Sequence, residues 1–219
     1  SENGRTLAVL SANGGVSVYK WEASGWTMLG EKLSGFTASP SISISSDGLT
    51  IAASSLAGQS KVFDWNGQKW QQRGDTFIEL GREIKISPDG TTIAISEPFK
   101  PNSFSAENGY MSGYLRVFQW QTDKWVQLGE VLSGAKAYQN FGISIDLSED
   151  GSLMAVGSAY TLRGTERAFV TVYEWDGTAW NSKGSNIIGS QYKDQFGKSV
   201  ALSVDGTILA VGAPFTDYD

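Results

Sequence analysis

At 219 residues the chain can bury about 70% of the surface that its unfolded form exposes, so it needs no covalent staple, and it contains neither cysteine nor histidine. The first absence removes disulfides, thiolate nucleophiles and zinc–thiolate sites and leaves the redox compartment open; the second removes the usual general base and the commonest transition-metal ligand, and with them Ser-His, Cys-His and HExxH chemistry. A net charge of −6 with scattered lysines and arginines offers no basic stripe for phosphates, so a nucleic-acid partner is not expected.

The longest apolar runs, such as Ile208-Leu209-Ala210-Val211, are far too short for a membrane span, and the N-terminus lacks a basic segment followed by an apolar core. The chain reads as soluble. Because it begins with Ser1, removal of a signal peptide or other upstream segment is an expectation.

Two markers alternate along one domain, 1–219. The first unit (about 1–34) carries Asn3-Gly4 and Trp21/Trp26 in WEASGW. The second (35–77) carries Asp47-Gly48 and Trp65/Trp70 in WNGQKW, and the third (78–134) Asp89-Gly90 and Trp120/Trp125 in WQTDKW. The fourth (135–189) carries Asp150-Gly151 and Trp175/Trp180 in WDGTAW, and the fifth (190–219) only Asp205-Gly206. All 8 tryptophans fall in these pairs, and the Ser-x-Asp/Asn-Gly turns lie 42 to 61 residues apart, the range of propeller repeats.

Asp-Gly between apolar runs signals a hairpin, because glycine accepts the positive φ of the tight turn. In the last copy the turn joins strands predicted from Ser199 to Ser203 and from Thr207 to Ala213. A third strand, such as Val170 to Trp175, runs into the first tryptophan of a pair, and a fourth starts at the second. Strands one and two are small or apolar on both faces, as burial between neighbouring sheets requires. Strands three and four admit Glu174, Lys183, Gln71 and Gln72, as outer strands would.

The expected fold is therefore all-β: a β-propeller of four-stranded antiparallel blades, four to five in this chain, with closure left open. The first unit lacks strand one and the last has only strands one and two. Closing four blades would leave the strand from Ile208 to Ala213 without a place, so the expectation is a longer array or edges covered by a partner.

Phe141-Gly142-Ile143-Ser144 through Ala155-Val156-Gly157-Ser158, and Phe196-Gly197-Lys198-Ser199 through Ala210-Val211-Gly212-Ala213-Pro214, resemble FG-GAP-type repeats. Earlier units depart from the pattern, with Leu80-Gly81 and Ala38-Ser39 at the Phe-Gly positions. The resemblance implies a propeller like the heads of integrin α-subunits, a role in adhesion or ligand recognition, and a secreted, cell-surface or organelle-lumenal location. Calcium-binding members insert an Asp-rich loop between strands one and two. Here only a tight turn such as Ser203-Val204-Asp205-Gly206 stands there, and one carboxylate cannot supply six to eight oxygens. No metal, cofactor or catalytic residue is expected.

The tryptophan pairs suit cross-strand packing better than sugar stacking, and the turn aspartates suit turn chemistry better than catalysis. Antiparallel order puts the Asp-Gly and tryptophan turns on one rim. The other rim takes the variable loops between strands two and three, where Phe99, Lys100, Phe104, Tyr110, Met111, Tyr160, Arg163, Phe215 and Tyr218 are the candidate partner-binding residues. Asp217 and Asp219 are left open as oxygen donors. The expected function is a non-catalytic interaction or scaffold module for a protein partner or a longer parent chain; the alternative is a glycan-binding propeller.

Overall fold

The computed structural model describes residues 1–11, 14–36, 41–100, 110–159, 166–192 and 194–215. Among these, five antiparallel sheets follow one another along the chain. The first has the order β1 (Thr6–Leu10), β2 (Val16–Glu22), β3 (Gly25–Met28). The second holds β4 (Ile42–Ile44), β5 (Thr50–Ser55), β6 (Gln59–Trp65) and β7 (Trp70–Gln72), with β8 (Phe77–Ile78) also on β6.

The third repeats this with β9 (Glu83–Ile86), β10 (Thr92–Ser96), β11 (Tyr114–Gln121), β12 (Lys124–Gln127) and β13 (Leu132–Ser133). The fourth does so with β14 (Phe141–Leu147), β15 (Leu153–Ser158), β16 (Phe169–Trp175), β17 (Trp180–Ser182) and β18 (Ile187–Ile188). The fifth has β19 (Ser199–Leu202) and β20 (Leu209–Gly212). Successive sheets pack through β4 on β9, β9 on β14 and β14 on β19, so strand one of each sheet is innermost. This is a β-propeller, and no strand pairing joins its first blade to its fifth among the described residues.

Each Ser-x-Asp/Asn-Gly segment folds by the same hydrogen bonds. In the second blade Ser45 Oγ donates to Asp47 Oδ1 at 2.6 Å, and Asp47 Oδ1 accepts the Leu49 N–H at 2.8 Å. Ser45 Oγ also accepts the Thr50 N–H at 2.9 Å. The serine hydroxyl and the carboxylate thus satisfy the turn's own donors, which is why both residue types recur. In the fifth blade this module absorbs Ser203 and Thr207, so the two strands are shorter than the sequence suggested.

Backbone bonds then link each turn to the next along the array: Ser46 N–H to Pro88 O at 2.8 Å, and Glu149 N–H to Val204 O at 2.8 Å. Pro88 has no N–H to give. The next residue substitutes, Asp89 N–H reaching Glu149 O at 3.1 Å.

The hydrophobic core lies between blades. Val16 and Val18 of the first blade, with Phe36 in the connection that follows it, meet Ile51 and Ala53 of the second. Ala52 and Val62 meet Ile84, Ile86, Ile93 and Ile95 of the third, and Leu115 and Val117 meet Phe141, Met154 and Val156 of the fourth. Leu80 fills the position that Phe141 fills one blade later, so the Leu-Gly variant keeps the packing.

The fourth strand of each complete blade is broken in two, and the break faces the next blade. Cross-strand tryptophan pairs close each hairpin, Trp120 opposite Trp125 with ring centroids 5.2 Å apart. In three of the four pairs the second tryptophan also reaches back: Trp70 Nε1–H donates to Leu29 O at 2.8 Å, Trp125 to Arg73 O at 3.0 Å, and Trp180 to Leu128 O at 3.2 Å. Immediately after each acceptor stands a glycine with positive φ, at Gly30, Gly74 and Gly129. A Cβ at Gly74 would lie 2.8 Å from Trp125 and 2.9 Å from Trp120.

Gly74 and Gly67 both hold positive φ, but Gly67 has open space around it. Gly67→Ala should therefore lose about 1 kcal/mol, the backbone term alone. Gly74→Ala should lose about 2–4 kcal/mol, because overpacking against the indoles adds to it. Urea denaturation reads both, and equal losses would contradict the joint.

Candidate binding rim and inner seam

On the rim opposite the tryptophan turns, a cleft of about 240 Å³ opens between the second and third blades. Ser55 at the end of β5 and Leu56 just beyond it, Gly81 and Arg82 before β9, and Glu97, Phe99 and Lys100 after β10 line it. Leu56 is 53% exposed. The Arg82 guanidinium lies over the half-buried Phe99 ring, 4.4 Å from its centroid, a cation–π contact that fixes the ring's plane.

Glu97 is buried, and Lys100 Nζ lies 3.5 Å from its carboxylate. Burial pushes the Glu97 carboxyl above its ordinary range, while Lys100, the Gly81 backbone N–H and Arg82 pull it back. Lys100 Nζ also donates to Glu79 O at 3.3 Å, and the Tyr114 hydroxyl donates to the same oxygen at 3.4 Å. Gly113 N–H closes on Lys100 O at 3.1 Å, so the segment carrying Phe99 and Lys100 is anchored at both ends.

Of the residues singled out in the sequence, Phe99 and Lys100 share this cleft. Tyr110 and Met111 form a separate patch beside the entry to the fourth blade. The Tyr110 ring lies 5.8 Å from Tyr138, and Met111 O accepts the Asn140 N–H at 3.1 Å. Phe215 stands apart on the fifth blade, 61% exposed, its N–H on Asp194 O. Phe104, Tyr160, Arg163, Tyr218, Asp217 and Asp219 lie outside the described residues.

Sequence reasoning missed Arg82 and Glu97 as part of the cleft. Their signal was topological: the same rim also carries the connections from strand four to the next strand one, and Arg82 sits in such a connection.

A second polar locus is the seam of innermost strands. Ser41 Oγ donates to Glu83 Oε1 at 3.0 Å, Ser43 Oγ accepts the Ile86 N–H at 3.1 Å, and Lys85 Nζ pairs with Asp146 Oδ1 at 2.9 Å. Asp146 Oδ2 accepts the Leu202 N–H at 2.7 Å, which carries the seam on to the fifth blade. These groups replace, between inner strands, the tryptophan joints of the outer ones.

Burial raises Glu83 from 4.5 to about 7, against the opposing pull of Ser41, Lys85 and Lys198. Glu83 and Glu97 are thus both raised, each chiefly by burial. No cluster of three or more acidic residues suited to a metal ion occurs among the described residues, and no helix there is long and apolar enough to cross a membrane.

No protein-family model and no curated protein matches the chain. Solved structures do. Hydrazine synthase from Kuenenia stuttgartiensis aligns with a TM-score of 0.66 at 18% identity over 96% of this chain and 59% of that one. A protein of unknown function from Desulfotomaculum acetoxidans aligns at 0.64 and 15% identity over 96% and 60%. The β-propeller domain of Cps50 (Swd1) from Myceliophteria thermophila aligns at 0.61 and 14% identity over 97% and 60%.

Because the folded Glu83 carboxyl holds its proton to higher pH than the unfolded one, its contribution is complete below about pH 4.5 and is lost as pH rises through about 7. Stability should therefore fall by about 1–3 kcal/mol between pH 5 and 8. Glu83→Gln should flatten that slope in urea melts; an unchanged slope would place the titration elsewhere. This chain spans about 60% of the length of the solved structures it matches, and what it shares with them is the β-propeller fold.

Proposed function

We propose that the chain is a non-catalytic interaction module that takes a protein partner on the rim between its second and third blades. The observation that carries this reading is the Arg82–Phe99 stack beside Glu97 and Lys100: an aromatic and two cations held in place around a cleft. Arginine and aromatic residues fixed on a rigid frame are the residue types that dominate binding hot spots. The blades supply that frame through their tryptophan joints, so the rim pays little ordering entropy on binding.

The Phe-Gly glycines support an FG-GAP-type reading of the repeat. Gly142 and Gly197 both hold positive φ, and Ser96 Oγ and Ser144 Oγ donate to their carbonyls at 2.6 and 2.7 Å. A non-catalytic role agrees with the absence of histidine and cysteine from the sequence. The glycan alternative draws less support. In three pairs the second indole is engaged by a backbone carbonyl, and the rings of the exposed pair, Trp21 and Trp26, are inclined by 70° rather than forming one platform.

The test is a photo-crosslinking amino acid placed at position 99, on this rim, and at Gln68, on the tryptophan-turn rim, followed by crosslinking in an extract of the source cells. A discrete protein adduct from position 99 only is expected; adducts from position 68 only would overturn the assignment. With the purified partner, Arg82→Ala or Phe99→Ala should each weaken binding about tenfold or more. Turnover of a substrate panel by the wild type, abolished by Glu97→Gln, would replace this reading with an enzymatic one.

A further inference from the structure

The geometry points to a binding site for a small aromatic carboxylate on the outer wall of the array, at the joint between the first and second blades. A pocket of about 390 Å³ opens there, a size that holds small ligands. Leu33, Phe63 and Trp70, buried or half-buried, make its floor, and the exposed Glu31, Gln68 and Lys69 make its mouth.

The joint itself fixes these walls. Trp70 Nε1–H is held by Leu29 O at 2.8 Å, and a Cβ on Gly30 would come within 2.6 Å of the Trp65 ring. A guest therefore meets a surface that is already ordered.

The second joint repeats the first and shows what kind of group fills such a space. Phe77 follows Gly74 by three residues, as Leu33 follows Gly30, and it pairs with Ser60 at the register where Leu33 bridges to Val16. The Phe77 ring lies 4.7 Å from Phe118 and 6.3 Å from Trp125, the counterparts of Phe63 and Trp70. Phe118 is 9% exposed under this cover, whereas Phe63 is left half-buried.

The first joint has a phenyl of its own, but elsewhere. Phe36 meets Phe63 edge-on at 6.2 Å, as Phe141 meets Tyr173 at the third joint, and it does not line the pocket. The place filled by Phe77 in the second joint is thus open in the first. An aromatic guest there gains the tilted ring contacts that Phe77 makes with a phenyl and an indole.

The charge at the mouth selects an anionic guest. An acidic residue follows the glycine at all three joints, as Glu31, Asp75 and Glu130, but the facing hairpins differ. They present Asp123 and Lys124 at the second joint, Thr178 and Ala179 at the third, and Gln68 and Lys69 here. The open joint is the one whose hairpin carries a cation without an aspartate next to it. Lys69 enters no ion pair among the described residues, so its ammonium can meet the guest's carboxylate in a charge-assisted bond. Lys32 adds a second positive charge nearby, its chain lying against Gly15.

The experiment titrates the full chain with 4-fluorophenylacetate, followed by ¹⁹F NMR of the probe and by the indole ¹H–¹⁵N resonances of the protein. Binding with a Kd of about a millimolar or below is expected, with the Trp70 resonance shifting and those of Trp125 and Trp180 unmoved. Phenylacetate should displace the probe, whereas cyclohexylacetate, which lacks the ring's π face, and 2-phenylethanol, which lacks the charge, should each compete about tenfold less well.

Lys69→Glu, on the surface, should weaken binding about tenfold and leave urea melts unchanged. Leu33→Phe combined with Phe36→Leu copies the Phe77 and Leu80 pair of the second joint and should abolish binding by filling the pocket. No binding up to about 10 mM probe overturns the proposal. So does a shift confined to other tryptophans, competition by 2-phenylethanol equal to that of phenylacetate, or an affinity indifferent to Lys69→Glu.

Discussion

A four-stranded sheet with apolar residues on both faces cannot stand alone in water, and everything else in this molecule follows from how each blade is clamped to the next. The clamp has an inner and an outer part. Inside, small and branched side chains of the second strands interlock, with residues such as Ile51, Ile93 and Met154 wholly buried. Outside, where strands splay and polar residues reach solvent, packing alone would leave gaps. There an indole spans the gap, its ring filling the space over a glycine and its N–H ending on the carbonyl beside it. Because that carbonyl belongs to the break in the fourth strand, the break is part of the joint: it frees a peptide group to point at the neighbouring blade rather than along its own sheet.

A frame clamped in this way can carry variable loops. The inner turns are tied to one another by backbone hydrogen bonds, so the tryptophan rim is committed to holding the array together. The connections on the opposite rim vary in length and composition. The cleft that collects Arg82, Glu97, Phe99 and Lys100 lies there, between two blades whose relative position is set by the Trp125 joint and the Glu83 seam. Recognition on this rim and cohesion on the other are separate uses of one repeat.

Much of the architecture was legible in the sequence because its signals are local. Asp-Gly turns and Trp-x4-Trp hairpins each act within a dozen residues, and they mark the strands of the three complete blades and of the two partial ones. The tryptophans were read as partners within a hairpin, which they are, but their bond to the preceding blade spans 41 to 52 residues and leaves no local trace. A trace existed in the spacing: each second tryptophan is followed by three residues and a glycine, at Gly30, Gly74, Gly129 and Gly184. The cleft was half legible. Phe99 and Lys100 stood out as loop residues, whereas Arg82 and Glu97 join them only because two connections from neighbouring blades meet on the same rim.

The claim on which the rest depends is that the second tryptophan of a pair clamps its blade to the one before. Hydrogen exchange of the indole N–H groups, resolved one by one in a ¹H–¹⁵N spectrum, tests it without altering the chain. Trp70, Trp125 and Trp180, each bonded to a carbonyl of the preceding blade, should exchange slowly, and Trp26, whose indole N–H meets no acceptor on another blade among the described residues and which is 44% exposed, should exchange fast. If Trp26 is protected as strongly as the other three, or if those three exchange as freely as Trp26, the blades are not held together in the way described.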